Sequence, residues 1–228
     1  MPSGGSVVYL FDVDNTLLDN DRFSSDLDAH LTQALGDAGR VRYRALYDEL
    51  RASRGYADYL EPLQHLRDDF VADPDLLRLS TFMLDYPFAD RVYPGALELL
   101  ASLSTTGRTV ILSDGDVVFQ PRKIQRSGLW DAVQGRVHVY LHKEYMLTAV
   151  QETYPASHYV MVDDKPGLLA AIKQLMGDRV TTVFVRQGHY STDAAVAAAP
   201  LKPDVSIGHI AQLGAHPLSV AVPLQEHG

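Results

Sequence analysis

The chain has 228 residues, 46% hydrophobic and 21% charged, with 20 Lys and Arg against 29 Asp and Glu for a formal net charge of -9. This is the composition of a globular protein able to bury a core, roughly one to two domains in size. Its acidic balance argues against a nucleic-acid partner, because that affinity comes from clustered Lys and Arg. The absence of cysteine excludes disulfides, thiolate metal sites and a cysteine nucleophile.

The first residues, "MPSGGSVVYLFDVD", carry no basic segment, and their apolar run is cut at Asp12, unlike a signal peptide. No apolar run approaches a membrane span, so a cytoplasmic protein without a membrane partner is expected. "VVYLF" at 7–11 predicts a buried strand. From about 17 to 92 no strand-like run follows. Helical patterns occupy "DAHLTQALG", "VRYRALYDELRASRG", "YADYLEPLQHLRDDF" and "DPDLLRLSTFML" instead. At Tyr93-Pro94-Gly95 a helix is expected to begin, with Pro at a tolerated early position.

Beyond it, strands are predicted at 109–113, 137–141, 158–162, 181–185 and more weakly 203–207. Helical segments are predicted at 95–106, 117–128, 143–153 and 166–176, the last stopping at Gly177. Alternating strands and helices predict an α/β fold, a Rossmann-like doubly wound parallel sheet with an all-helical insert. The expected lobes are a core of 1–16 and 93–215 and a cap of 17–92, followed by a loosely held tail, 216–228.

In an open parallel sheet, ligands bind outside the carboxyl ends of the strands. The residues there are Asp12 and Asp14, then Ser113 and Asp114, then Lys143, then Asp163 and Asp164. Asp12 and Asp14, two apart on an extended segment, point the same way. Crowded carboxylates raise one another's pKa unless a cation compensates, and an oxygen-only set favours Mg²⁺ over Zn²⁺. The groups together suit a phosphate held against a metal.

These motifs identify the chain as resembling the haloacid dehalogenase-like hydrolase superfamily. "FDVDNTLLDN" resembles its first motif, DxDxT. "VILSDGD" resembles the second, Lys143 serves as the third, and "YVMVDDKPGLLAAIKQLMG" resembles the fourth. A helical insert directly after the first motif resembles a C1-type cap. The resemblance implies a Mg²⁺-dependent phosphatase acting on a small phosphorylated metabolite. Asp12 would be the nucleophile, forming an aspartyl-phosphate, and Asp14 the acid and base. Ser113, Asp114 and Lys143 would hold the phosphoryl group. Asp12, the main-chain carbonyl of Asp14, Asp163 and Asp164 would bind the metal.

Lys143 lacks the proline that often follows the family's lysine. Lys123 is its rival, but its place inside the helix after the second motif predicts that it does not reach the site. Asn15 and Thr16 are expected to shape the loop, Thr16 through a local hydrogen bond, and Asp116 to cap a helix. Arg51, Arg54, Tyr56 and Tyr59 are candidates for substrate contact from the insert. His138, His142, His158 and His189 show no paired ligand spacing. "FVRQGHY" at 184–190 is read as a turn after a strand. Alternative functions are a phosphomutase of the β-phosphoglucomutase type, a hydrolytic dehalogenase, which needs no acid at Asp14, and an inactive binding module on the same fold. Oligomeric state is not readable from the chain.

Overall fold

The computed structural model describes residues 6–56, 58–67, 69 and 74–216. The expected tail beyond His216 lies outside the described residues, as do 57, 68 and 70–73 within the helical patterns. Six strands form one parallel sheet: β1 Val7–Phe11, β2 Arg108–Asp114, β3 Val137–Tyr140, β4 His158–Asp163, β5 Val180–Val185 and β6 Val205–Ile207, ordered β3-β2-β1-β4-β5-β6. The first strand is therefore central, flanked by β2 and β4. Period-two alternation divides its side chains between two apolar clusters. Tyr9 and Phe11 join the larger, with Ile111, Val160 and Val162, whereas Val8 and Leu10 join the smaller, with Val110, Leu112, Tyr159 and Met161.

Between β1 and β2 lies the helical insert: α1 Asn20–Arg54, α2 Glu61–Leu66 and α3 Pro74–Asp85. The two long patterns expected at its start are continuous in α1 except at Gly36, whose φ of 71° and ψ of 177° interrupt the helix. Asp19 caps the start, accepting from the Arg22 amide at 2.9 Å, and left-handed Gly55 closes the end. The segments entering and leaving the insert pair with each other, Asp19 N donating to Arg91 O at 2.8 Å and Tyr93 N to Leu17 O at 2.9 Å. The next helix, α4, spans Ala96–Leu103, so Pro94 lies outside it rather than in its first turn; left-handed Gly95 is its N-cap.

The remaining α-helices are α5 Phe119–Arg126, α6 Leu129–Ala132, α7 Leu147–Thr153, α8 Pro166–Met176 and α9 Asp193–Ala198. Helices α4, α5 and α6 pack into the larger cluster, and α7 and α8 into the smaller, so the sheet is covered on both faces. The segment expected as a helix over 143–153 begins instead as a 3₁₀ turn, Lys143–Met146, which places Lys143 at the sheet edge. Among the described residues no helix is long and apolar enough to cross a membrane.

Candidate active site

Strands β1, β2 and β4 deliver their last residues to one place because they are adjacent and in register. Phe11 pairs with both Ile111 and Val162, so Asp12 emerges level with Leu112 and Asp163, and Ser113 follows one residue further along β2. Asp12, Asp163 and Asp164 are buried, each offering a carboxylate oxygen within 4.8 Å of the others. Lys143, fully buried, donates from Nζ to Asp12 Oδ1 at 2.5 Å and to Leu112 O at 3.2 Å, and ion-pairs with Asp163 Oδ2 at 2.7 Å. Asp114 accepts the Lys143 amide at 2.8 Å, which fixes the turn that presents the ammonium.

The charges do not balance. Three carboxylates face two ammoniums, that of buried Lys143 and that of Lys165, and Asp12 Oδ2 and both oxygens of Asp164 are buried without a hydrogen-bond partner. Burial, then the charges of Asp163 and Asp12, push Asp164 up to about 9, and burial raises Asp163 as well. For Lys143, burial opposes the charge, yet Asp12 and Asp163 hold its pKa above the ordinary lysine value. Buried oxygens with no proton donor are the environment a hard cation supplies, and this set could hold a metal.

Asp14 points elsewhere. Its side chain, 27% exposed, accepts from Lys123 Nζ at 2.8 and 3.0 Å and from Gln120 Nε2 at 3.3 Å. Lys123 therefore reaches the site after all, on the Asp14 side, because α5 runs back over the sheet end with its Gln120–Lys123 face inward. Both lysines are in use, each on a different aspartate. Ser113 is buried and accepts from Gln120 Nε2 at 3.0 Å. Asp116 caps α5, accepting from the amides of Val118 and Phe119 at 2.8 and 2.7 Å. The local bond expected of Thr16 is not formed: its hydroxyl is buried without a partner, while its carbonyl accepts from Gln187 Nε2 at 3.2 Å. Asn15 does shape the loop at φ 58°, its Oδ1 accepting the amides of Asn20 and Asp21 at 3.1 and 3.2 Å.

A cavity of about 260 Å³ opens between these residues and the insert, bounded by Asp14, Asp164, Lys165, Tyr59, Arg51 and Tyr190 among others. Of the insert residues expected to face substrate, Arg51 and Tyr59 line this cavity, whereas Arg54 is exposed and pairs with Glu61. The turn after β5 contributes more than its sequence indicates. Gly188 has φ 68°, and a Cβ there would lie 2.4 Å from the Asn15 side chain, so only glycine lets the turn lie against Asn15. The next two residues then reach the cavity: His189 Nδ1 lies 2.6 Å from Asp21 Oδ1, and the Tyr190 hydroxyl accepts from Arg51. Gln120 lies outside the motifs, and its sequence signal is the i, i+3 spacing with Lys123. Asn20 and Lys165 stand inside the first- and fourth-motif strings and His189 and Tyr190 inside the 184–190 turn, where the glycine before His189 is the signal, but a place at the cavity is not legible from those strings.

The haloacid dehalogenase-like hydrolase family model matches residues 8–175, and the chain belongs to this family. A haloacid dehalogenase-like hydrolase of known structure from Burkholderia xenovorans LB400 is 54% identical, with a TM-score of 0.87 over 93% of this chain and 99% of the other. More distant folds include L-2-haloacid dehalogenase from Xanthobacter autotrophicus, 18% identical with a TM-score of 0.58 over 91% of this chain and 96% of that one. The hydrolase YfnB from Bacillus subtilis, solved bound to magnesium, is 17% identical with a TM-score of 0.59 over 92% and 97%. No curated protein matches the chain. The helical insert after β1 is consistent with the family's C1-type cap.

Proposed function

We propose that this hydrolase is a Mg²⁺-dependent phosphatase of small phosphorylated metabolites. The reading is carried by one observation: a second carboxylate, Asp14, opens on the cavity beside the buried cluster of Asp12, Asp163 and Asp164. Carbon–halogen displacement needs no such group, since halide leaves unprotonated, whereas an alkoxide leaving phosphorus needs a proton.

Asp12 attacks phosphorus and the ester P–O bond breaks. The departing oxygen takes a proton from Asp14, leaving an aspartyl-phosphate on Asp12 and a free alcohol. Water then attacks phosphorus, Asp14 takes its proton, and the P–O bond to Asp12 breaks to give inorganic phosphate. Lys143 and Ser113 stabilise charge on the phosphoryl oxygens, and Asp114 keeps the Lys143 turn in place. Asp12, Asp163, Asp164 and the Asp14 carbonyl would hold Mg²⁺, which lowers the repulsion between an anionic nucleophile and an anionic phosphate. The cavity's size and its partial cover by the insert, read as a cap over 17–92 on a core of 1–16 and 93–215, suit a small ester shielded from water rather than a polymer.

Purified protein incubated with p-nitrophenyl phosphate should release phosphate with Mg²⁺ and stop with EDTA. Asp12→Asn should lower kcat by at least about 10⁴-fold, as loss of a nucleophile does. Turnover that ignores EDTA, or survives D12N, defeats the mechanism. A returned phosphoryl group, seen as an isomerised sugar phosphate, would move the protein to the phosphomutases.

A further inference from the structure

Lys123 is fully buried in the middle of α5, yet it is surrounded by rings. Its ammonium lies 5.3 Å from the centroid of Phe119, 5.5 Å from Tyr59 and 5.9 Å from both Phe23 and Phe88. An apolar side chain would fill such a box without the desolvation cost of a charge. What distinguishes a lysine here is its reach: both oxygens of Asp14 and, at 3.0 Å, Asn20 Oδ1. The ring faces offset part of the lost hydration, and the carboxylate supplies the counter-charge. Because Lys123 has no exposed surface, it can act on a substrate only through a neighbour.

We propose that Lys123 is a positioning residue for Asp14, clamping its carboxylate at the cavity edge in the orientation proton transfer requires. Gln120, one turn earlier on the same helix, bonds Asp14 Oδ2 and Ser113 and completes the clamp. The clamp also spans both parts of the molecule. Asn20 is the first residue of α1, and its Nδ2 donates to the Tyr59 hydroxyl at 3.0 Å, so the ammonium that holds Asp14 is itself held by the insert. Asp14 is therefore in register with the leaving-group site only while the insert is in place. The inference rests on the phosphatase reading for what Asp14 does, but the clamp itself is a statement about geometry.

The test compares two esters. Nitrophenolate departs without a proton and propoxide does not, so a displaced Asp14 should separate them. In Lys123→Met, kcat/KM, which ends at leaving-group departure, should fall by about a hundredfold for propyl phosphate and by less than about fivefold for p-nitrophenyl phosphate. Water activation should also slow, so that K123M releases nitrophenolate in a stoichiometric burst. K123R should restore part of the propyl phosphate rate, and K123M should add nothing to that loss in an Asp14→Asn background. A crystal structure of K123M should show Asp14 turned away from its present place. If K123M lacks a cooperative melt, K123Q is read in its stead. Equal losses on both esters, additive losses with D14N, or an Asp14 carboxylate that has not moved overturn the proposal. Wild-type protein inactive on both esters defeats the phosphatase reading instead, and the crystal structure still decides the clamp.

Discussion

The two aspartates of the first motif stand two residues apart in opposite electrostatic settings. Around Asp12 the groups come from the sheet core, and three buried carboxylates outnumber the ammoniums of Lys143 and Lys165. Around Asp14 the hydrogen-bond partners, Lys123 and Gln120, come from α5, Lys123 in turn bonds Asn20 of the insert, and the site opens on a cavity. The first half keeps buried carboxylate oxygens without a partner, which a cation could satisfy. The second is neutralised from within. A family motif written as a string of letters conceals that its two acids are supported by different parts of the chain, Asp12 by Lys143 and Asp14 by Lys123 and Gln120 on α5.

The comparison can be broken most severely at Lys143. Lys143→Met leaves Asp12 and Asp163 buried against each other, and the metal-free protein should lose about 3–5 kcal/mol of stability in urea denaturation. The same change at Lys123, whose partner Asp14 retains solvent contact, should cost less, about 1–3 kcal/mol. Equal losses would mean that the two halves do not differ as described.

A finer probe is Asp164→Asn. The carboxyl of Asp164 titrates at about 9 in the folded protein against about 4 in an unfolded chain. The folded state therefore binds the extra proton, so the stability linked to this group is fully present below pH about 4 and is lost as pH rises toward about 9. Metal-free wild type should lose melting temperature relative to D164N across that window. Mg²⁺ should reverse the loss in wild type and bind D164N at least about tenfold more weakly. A difference between the two proteins that does not vary with pH would remove burial as the cause.

The smallest expected effect on the site itself comes from Gly36, in the middle of α1. Gly36→Ala forces a side chain into a backbone region that essentially only glycine adopts, and should cost about 1–3 kcal/mol while leaving Mg²⁺ affinity unchanged. A change in metal affinity would show the Asp12 half to depend on the insert as the Asp14 half does.

What the sequence reveals follows the same division. The six strands and the residues that leave their ends are legible because a buried parallel strand writes itself as an unbroken apolar run, and the sheet then aligns those ends automatically. Asp12, Ser113, Lys143, Asp163 and Asp164 need no knowledge of the insert. Lys123 could not be placed, because its setting is assembled from Phe23, Tyr59, Phe88 and Phe119, which lie on separate segments and meet only through packing. Thr16 misleads for the converse reason: a hydroxyl beside a turn usually finds a local acceptor, but here the loop closes through its backbone, and Gln187, more than 150 residues away, takes the carbonyl. His189 and Tyr190 enter through the close approach that Gly188 permits, a property of contact rather than of pattern.

The central position of β1 bears on how the protein is made. Its edges are matched by residues about 100 and 150 positions later, Val8 by Arg108 and Val7 by His158. At roughly 5–20 residues per second, the first strand waits about 8–30 s on the ribosome before β4 emerges. Until β2 emerges "VVYLF" has both edges unpaired, and until β4 emerges it still lacks one partner, so the sheet's contacts are among the least local in the chain. The order in which synthesis delivers the pieces thus leaves β1, which ends next to Asp12 and Asp14, the strand that waits longest for its full pairing. Refolding from denaturant, where all strands are present at once, should be correspondingly less prone to aggregation than synthesis stalled before residue 158.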